Sequence, residues 1–306
     1  MATVVLGLLW ATGTVLGAQS ARDVPLAPPR FDVAPILASD MERALVQRRA
    51  ASAVALGMGN VGVMLTDADV LFYNPAMLTQ ARGVAVSVQR DEGDRTNGAM
   101  ASVQSFGALG VGLGARLATS GGAEGTASSL ALTAGAARAL GPVRVGVAAT
   151  YAREATREAT TVDVAASLPF GPGNALGFTA MVQHLGQSIA RDPVFGDEDP
   201  WRAVLAVGGR NFPLATFWDL SAYSQLAIDA DGSRQLAGGG ELAWVPLEGV
   251  AVAFRAGARQ ARLLERPLTG GLGLTLDRWS LDYAFEYDRE PRADGRALHR
   301  VGLRIR

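Results

Sequence analysis

Gly57-Met58-Gly59-Asn60-Val61-Gly62 has the glycine spacing of a turn that cradles a dinucleotide pyrophosphate. That chemistry needs a helix opening at the glycines and an acidic residue about 20 positions on to hold the ribose. Here Asn74-Pro75 arrives within a dozen residues of Gly62, and the next acid after Asp69 is Asp91. Close backbone packing is the better use for Gly57, Gly59 and Gly62. Asp197-Glu198-Asp199 could offer oxygens to a divalent cation, yet nothing fixes their geometry and a solvated loop is the plainer reading. His184 and His299 stand in no metal-ligand or catalytic spacing, and no nucleophile elbow or zinc-hydrolase motif occurs. No catalytic residue, metal or cofactor is expected. Asn74-Pro75-Ala76 reads as a tight turn, because Asn favours turns and Pro fixes φ and ends any helix before it. A ligand role for Asn74 is the alternative to a structural latch. Asp67 and Asp69 either pair with basic side chains or stay solvated.

These residues sit in a chain of 306 residues, 49% hydrophobic and 19% charged, with 37 Gly, no Cys and a net charge of −1. Scattered basic residues give no nucleic-acid footprint. The missing Cys excludes disulfides, thiolate metal sites and cysteine nucleophiles. Val4 to Leu16 is an uncharged apolar run followed by small residues, the pattern of a secretory signal peptide over residues 1–18. Residues 19–47 form a Pro-rich extended periplasmic leader, and residues 48–82 a compact irregular segment of small residues. No later run is long and apolar enough for a spanning helix, so the membrane option left is a β-barrel, whose closed ladder satisfies its own backbone.

Residues 83–306 repeat one pattern. In Trp279 to Tyr287 the odd positions are large and apolar and the even ones small or acidic; Val301, Leu303 and Ile305 alternate with Gly302, Arg304 and Arg306. Period two is a strand signal that helices do not produce. Phe217 to Ile228 is of mixed parity. About 224 residues over about fourteen strands leave roughly 16 for each strand and turn, against the ~9–11 residues a membrane strand needs. The turns fall into two sets. Asp91 to Asp94, Arg153 to Glu158, Arg191 to Asp199, Asp229 to Gly232 and Asp288 to Arg296 are charged. Leu140-Gly141-Pro142, Pro169 to Asn174, Phe212-Pro213 and Val245-Pro246 are tight. Phe106, Phe170, Phe212, Trp218, Trp244 and Trp279 gather beside the tight set, as an aromatic girdle at one membrane interface would. The expected fold is all-β: an antiparallel transmembrane barrel of about fourteen strands in the bacterial outer membrane, with residues 48–82 as an internal plug.

Parity turns Arg144, Asp163, Asp282, Glu286, Arg300 and Arg304 towards the lumen. Asp282 and Glu286 lie beside the strand of Arg300 and Arg304, which predicts opposite charges facing across the ladder. Gly107, Gly110, Gly112 and Gly114 crowd one early strand, where glycine marks a bend or a close backbone approach. Two uses stay open: a kink that opens a lateral gate, or a wall against which the plug packs.

The order of Gly57 to Gly62, Asp67-Ala68-Asp69 and Asn74-Pro75-Ala76 resembles the N-terminal signature of PorV/PorQ-type and FadL-type outer-membrane proteins. Met181 to Gly186 looks like a family strand that usually carries Asn where His184 stands. Leu281 to Phe285, then His299 to Leu303, resemble the family's last two strands. The resemblance implies a fourteen-stranded barrel with an N-terminal hatch inside. Its FadL-type members pass hydrophobic molecules across the outer membrane; PorV and PorQ are accessory barrels of type IX secretion. Passage of small hydrophobic molecules is the leading expectation, with lipid around the barrel and a hydrophobic substrate within. A non-transporting accessory barrel with secretion proteins as partners is the alternative.

Overall fold

A computed structural model describes residues 51–91, 95–122, 125–154, 157–171, 175–187, 191–192, 196–197, 201–230, 232–260, 267–287 and 297–306, all within one compact unit. The expected signal peptide, the periplasmic leader and residues 48–50 lie outside them, as do the side chains of Asp197, Glu198 and Asp199.

The strands are β1 (Gly83–Asp91), β2 (Arg95–Phe106), β3 (Leu109–Gly122), β4 (Gly125–Leu140), β5 (Val143–Glu154), β6 (Arg157–Phe170) and β7 (Leu176–Gln187), then β10 (Arg202–Ala215), β11 (Trp218–Asp229), β12 (Arg234–Leu247), β13 (Val250–Arg259), β14 (Leu268–Leu276), β15 (Trp279–Tyr287) and β16 (Ala297–Ile305). Two short strands, β8 (Arg191–Asp192) and β9 (Gly196–Asp197), pair only with each other between β7 and β10. Every barrel strand is antiparallel to its neighbours, and β1 pairs with β16 from Val84↔Ile305 to Asp91↔Leu298, closing a fourteen-stranded barrel.

Side-chain size sorts by face. Val84, Val86 and Val88 point outward, between 39% and 51% exposed, while Ala85, Ser87 and Gln89 between them are 1% exposed. Leu281, Tyr283 and Phe285 alternate likewise with buried Asp282 and Ala284. Large apolar groups outside and small or polar groups inside invert the order of a soluble protein and match a wall that faces lipid. Strand β11 lacks this contrast because its inward residues Tyr223 and Gln225 are bulky and outward Ala222 and Ser224 small; both faces are half-covered.

Two expected turns are displaced. Phe212-Pro213 lies within β10 and Val245-Pro246 within β12; the reversals come at Thr216-Phe217 and Glu248-Gly249. Proline removes one ladder donor without turning the chain, and the pairing shifts register at both places. The Arg153 to Glu158 loop is shorter than expected, since Arg153↔Glu158 and Glu154↔Arg157 still pair.

Residues 51–82 supply the buried core. Helix α1 (Ala53–Gly57) is capped by Ser52, whose Oγ accepts from the backbone N–H of Val54 and Ala55. Two 3-10 turns follow, Ala68–Phe72 and Pro75–Thr79, the second with Pro at its first position and Asn74 as its cap. Helix α1 packs on β13 to β16 and the second 3-10 turn on β2 to β6, so the segment touches opposite sides of the barrel wall. Leu56, Met58, Val61, Val70, Leu71 and Leu78 are almost completely buried there.

Candidate functional site

At several places the segment packs closely against glycines of the wall. A Cβ at Gly110 would lie 2.3 Å from Leu78, and one at Gly114 2.6 Å from Phe72; Gly112 faces Leu71 and Leu78. Across the barrel, a Cβ at Gly239 or Gly257 would strike the backbone of Met58 at 2.5 or 2.3 Å. Strand β3 pairs with β2 and β4 without a register shift, and Gly107 belongs to the turn before it, at φ 61°. Gly110, Gly112 and Gly114 thus lie against the inner segment, while Gly107 has open space around it.

Charge ties the segment down on the β13 to β16 side. Arg304 Nη1 reaches Asp67 at 2.7 Å while its Nε reaches Asp282 at 2.7 Å. Asp282 also accepts from Arg255 at 2.8 Å, and Arg255 Nε from the same guanidinium meets Glu241 at 2.6 Å. Arg255 stands on β13 and Asp282 on β15; the pair closes over Gly273 of β14, where a Cβ would lie 2.7 Å from Asp282 Oδ1. The expected ladder therefore holds for Asp282 and Arg304 but not for the other pair. Glu286 binds Arg259 at 2.7 Å. Arg300 turns to β1, donating to Ser87 Oγ at 2.8 Å and Gln89 Oε1 at 3.2 Å, because its register partners are Gln89 and Ala284. Ser87 in turn donates to the Ala51 carbonyl at 2.6 Å. Burial, and secondarily the Asp67 charge, push the Asp69 carboxyl up to about 7.

Asn74 joins the segment to the opposite wall. Its Oδ1 accepts from the Ala76 N–H at 3.1 Å; its Nδ2 donates to the Val63 carbonyl at 2.6 Å, Ser167 Oγ at 3.1 Å and Thr179 Oγ1 at 3.3 Å. Ser167 and Thr179 are themselves 2.7 Å apart. Gly57 and Gly59 share one anchor: Thr269 Oγ1 donates to the Gly57 carbonyl at 3.2 Å and accepts from the Gly59 N–H at 2.8 Å. Gly62 lies under the Tyr73 ring, where a Cβ would be 2.3 Å away. Helix α1 precedes Gly59 and Gly62 instead of opening at them, so no phosphate cradle forms.

A cavity lies on each side of this latch. The one towards the charged loops has a volume of about 60 Å³, floored by Asn60, Val63, Phe72 and Tyr73 and walled by Arg116, Asp163, Met181, His184 and Arg202. It has room for about four waters. Arg116 lies 5.1 Å above the centre of the Phe72 ring. His184 has φ 60°, a conformation Asn tolerates better than most residues, and its N–H donates to Asp163 Oδ1 at 2.8 Å beside a bulge between Val162 and Val164. The cavity towards the tight turns has a volume of about 20 Å³ and is lined by Met64, Met77, Gln80, Arg144, Ser167, Gly177 and Arg210 among others.

The residues singled out from sequence thus separate. Asp67, Asp282 and Arg304 form one cluster, Asn74, Pro75 and Ala76 the latch, and Asp163 and Arg144 line different cavities. Sequence reading missed Arg255, Glu241, Arg116, Ser167 and Thr179. Parity along β12 and β13 points Glu241 and Arg255 inward, but no local signal joins Asn74 to Ser167 and Thr179, more than 90 residues away.

A closed barrel of fourteen strands, apolar outside and filled with small and charged groups, is the fold of outer-membrane channels. Two solved structures share it: the CymD monoaromatic hydrocarbon channel, with a TM-score of 0.58 at 10% identity over 84% of this chain and 96% of that one, and the Ralstonia pickettii toluene transporter TbuX, with a TM-score of 0.52 at 13% identity over 83% and 96%. No protein-family model and no curated protein sequence matches the chain.

Proposed function

We propose that this protein stands in the bacterial outer membrane and passes small hydrophobic molecules, with residues 51–82 as a plug that must shift for passage. One observation carries the reading. The two cavities lie along the same wall, β6, β7 and β10, and between them stand the Asn74 latch, Met64 and the packed side chains of Ala76, Ala165 and Ala206. Asp163 and Met181 line the first cavity; Ser167 and Gly177 line the second; Thr179 of the latch falls between. On that wall the linings of the two cavities come within about one inward residue pair of each other, Ala165↔Met181 being followed by Ser167↔Thr179. The hydrocarbon channel and toluene transporter of like fold support a hydrophobic cargo and the FadL-type branch of the resemblance. The outward belt of Val, Leu, Phe and Trp supports lipid as its surroundings, since an apolar surface of this extent is not left in water.

Planar-bilayer conductance of the intact protein and of a form lacking residues 48–76 tests the plug. The intact barrel should be nearly silent and the shortened one should conduct, and toluene uptake by cells should rise with the shortened form. Silence in both forms means that wall side chains fill the lumen; the transport reading then fails, and a static accessory barrel becomes the better account.

A further inference from the structure

Several arginines inside the barrel are matched to carboxylates. Arg255, Arg259, Arg202 and Arg304 each have a carboxylate oxygen within 3.2 Å. Arg144 and Arg210 do not. Both line the small cavity at the tight-turn end and are close enough to repel each other. No Asp or Glu lines that cavity, and among the described residues no carboxylate stands within ion-pair distance of either. Among the described residues, the side-chain hydrogen bond of the pair runs from Arg210 Nη2 to Gln80 Oε1 of the inner segment, at 3.0 Å. Half-buried like charges facing one space are held there at a cost that a shared anion would remove.

We infer that this basic cavity is a binding site for an oxyanion with an apolar body, held by Arg144 and Arg210. Guanidinium groups present paired donors that fit carboxylate and phosphate oxygens two at a time. The apolar part of the lining includes Met64, Met77 and Leu176, which suits a hydrocarbon portion, while Gln80 and Ser167 add an amide and a hydroxyl beside the guanidinium groups. The Met64 methyl fills the place of a side chain at Gly177, where a Cβ would lie 2.2 Å from it. Methionine is flexible enough to swing aside for a ring or a short chain. Two sources supply this chemistry. A small organic carboxylate can come along the lumen, and a phospholipid headgroup can come from the leaflet, since outward-facing Leu168 and Phe178 border the same cavity. The site goes beyond the proposed passage and does not depend on it, because binding is read without transport.

The probe is benzoate, titrated calorimetrically into the purified full-length protein in phospholipid-free detergent. Arg144→Gln and Arg210→Gln should each weaken binding about tenfold or more, as loss of a charge-assisted hydrogen bond does. Arg144→Lys and Arg210→Lys should restore part of it. Arg278→Gln, which removes an exposed charge from another tight turn outside the cavity, should leave it intact. Toluene binding should ignore all of these changes. In nanodiscs, suppression of benzoate binding by phosphatidylglycerol but not phosphatidylcholine identifies the lipid as the occupant; unchanged binding identifies the free carboxylate. Folding of each variant is checked by its heat-dependent electrophoretic mobility. Equal binding by the wild type and the folded double Gln variant overturns the site. So does a folded wild type that takes up neither benzoate nor phosphatidylglycerol.

Discussion

Asp282 is the residue on which most of the internal charge converges. It is 1% exposed and accepts from Arg255 and Arg304 together. Removing one member of a buried cluster leaves the opposite charges less compensated and away from solvent. Asp282→Ala should cost about 3 kcal/mol, the low end for a buried pair, because Arg255 keeps Glu241 and Arg304 keeps Asp67. Urea unfolding followed by tryptophan fluorescence measures it. Asn74 acts differently, since its bonds hold the segment and not the wall. Asn74→Ala loses a cap worth about 0.5–2 kcal/mol as well as the wall contacts. The barrel should stay folded while protease cleavage within residues 51–82 and brief conductance events become more frequent. A cleavage rate equal to wild type would show that Asn74 is not the latch. Both residues stood out in the sequence, one by its parity and one by the proline after it. Their partners did not, because a partner is fixed by strand register and by what the neighbouring strand lacks. Arg255 reaches Asp282 only because Gly273 leaves the intervening strand bare.

At the scale of elements, the strands were legible because one face is apolar and the other small, and that contrast recurs every second residue. Where it fades, as in β11, the sequence is silent for the reason that the lumen holds bulky groups there. Pro213 and Pro246 misled because proline signals a lost donor as well as a turn, and only the ladder tells which. The inner segment has no period at all; its shape is that of the gaps left for it. Gly239→Ala puts a methyl 2.5 Å from Met58, an overpacking worth about 1–3 kcal/mol, and should free the segment to be cleaved. Gly98→Ala, whose nearest neighbour is 3.9 Å away, should leave cleavage unchanged. Docking of the segment should also depend on pH. Asp69 is raised from 3.8 to about 7 when docked, by burial first and the Asp67 charge second. A raised carboxyl favours the docked form fully below its free value, and that contribution is lost as pH climbs from about 4 through 7. Protection of residues 51–82 from protease should therefore be stronger at pH 5.5 than at pH 8.5, and Asp69→Asn should flatten the difference. A protection profile independent of pH in the wild type would remove Asp69 from the account.

For the whole molecule, the consequence lies in the order in which the chain is laid down. The wall is completed only when β16 meets β1, more than 200 residues after β1 begins. The residues it encloses come before all of it in sequence, and Gly59 waits for Thr269, 210 residues on. Contacts so distant make assembly slow, since loop closure precedes any reward from pairing. They also set a sequence of events. The inner residues must be gathered while the ring is still open, or enter afterwards from one end of a finished cylinder. The first route makes those residues a template on which the glycine-faced strands are laid. A ring formed without them would then close more slowly, and a separate peptide added afterwards, however well it fits the lumen, would come too late to restore that rate.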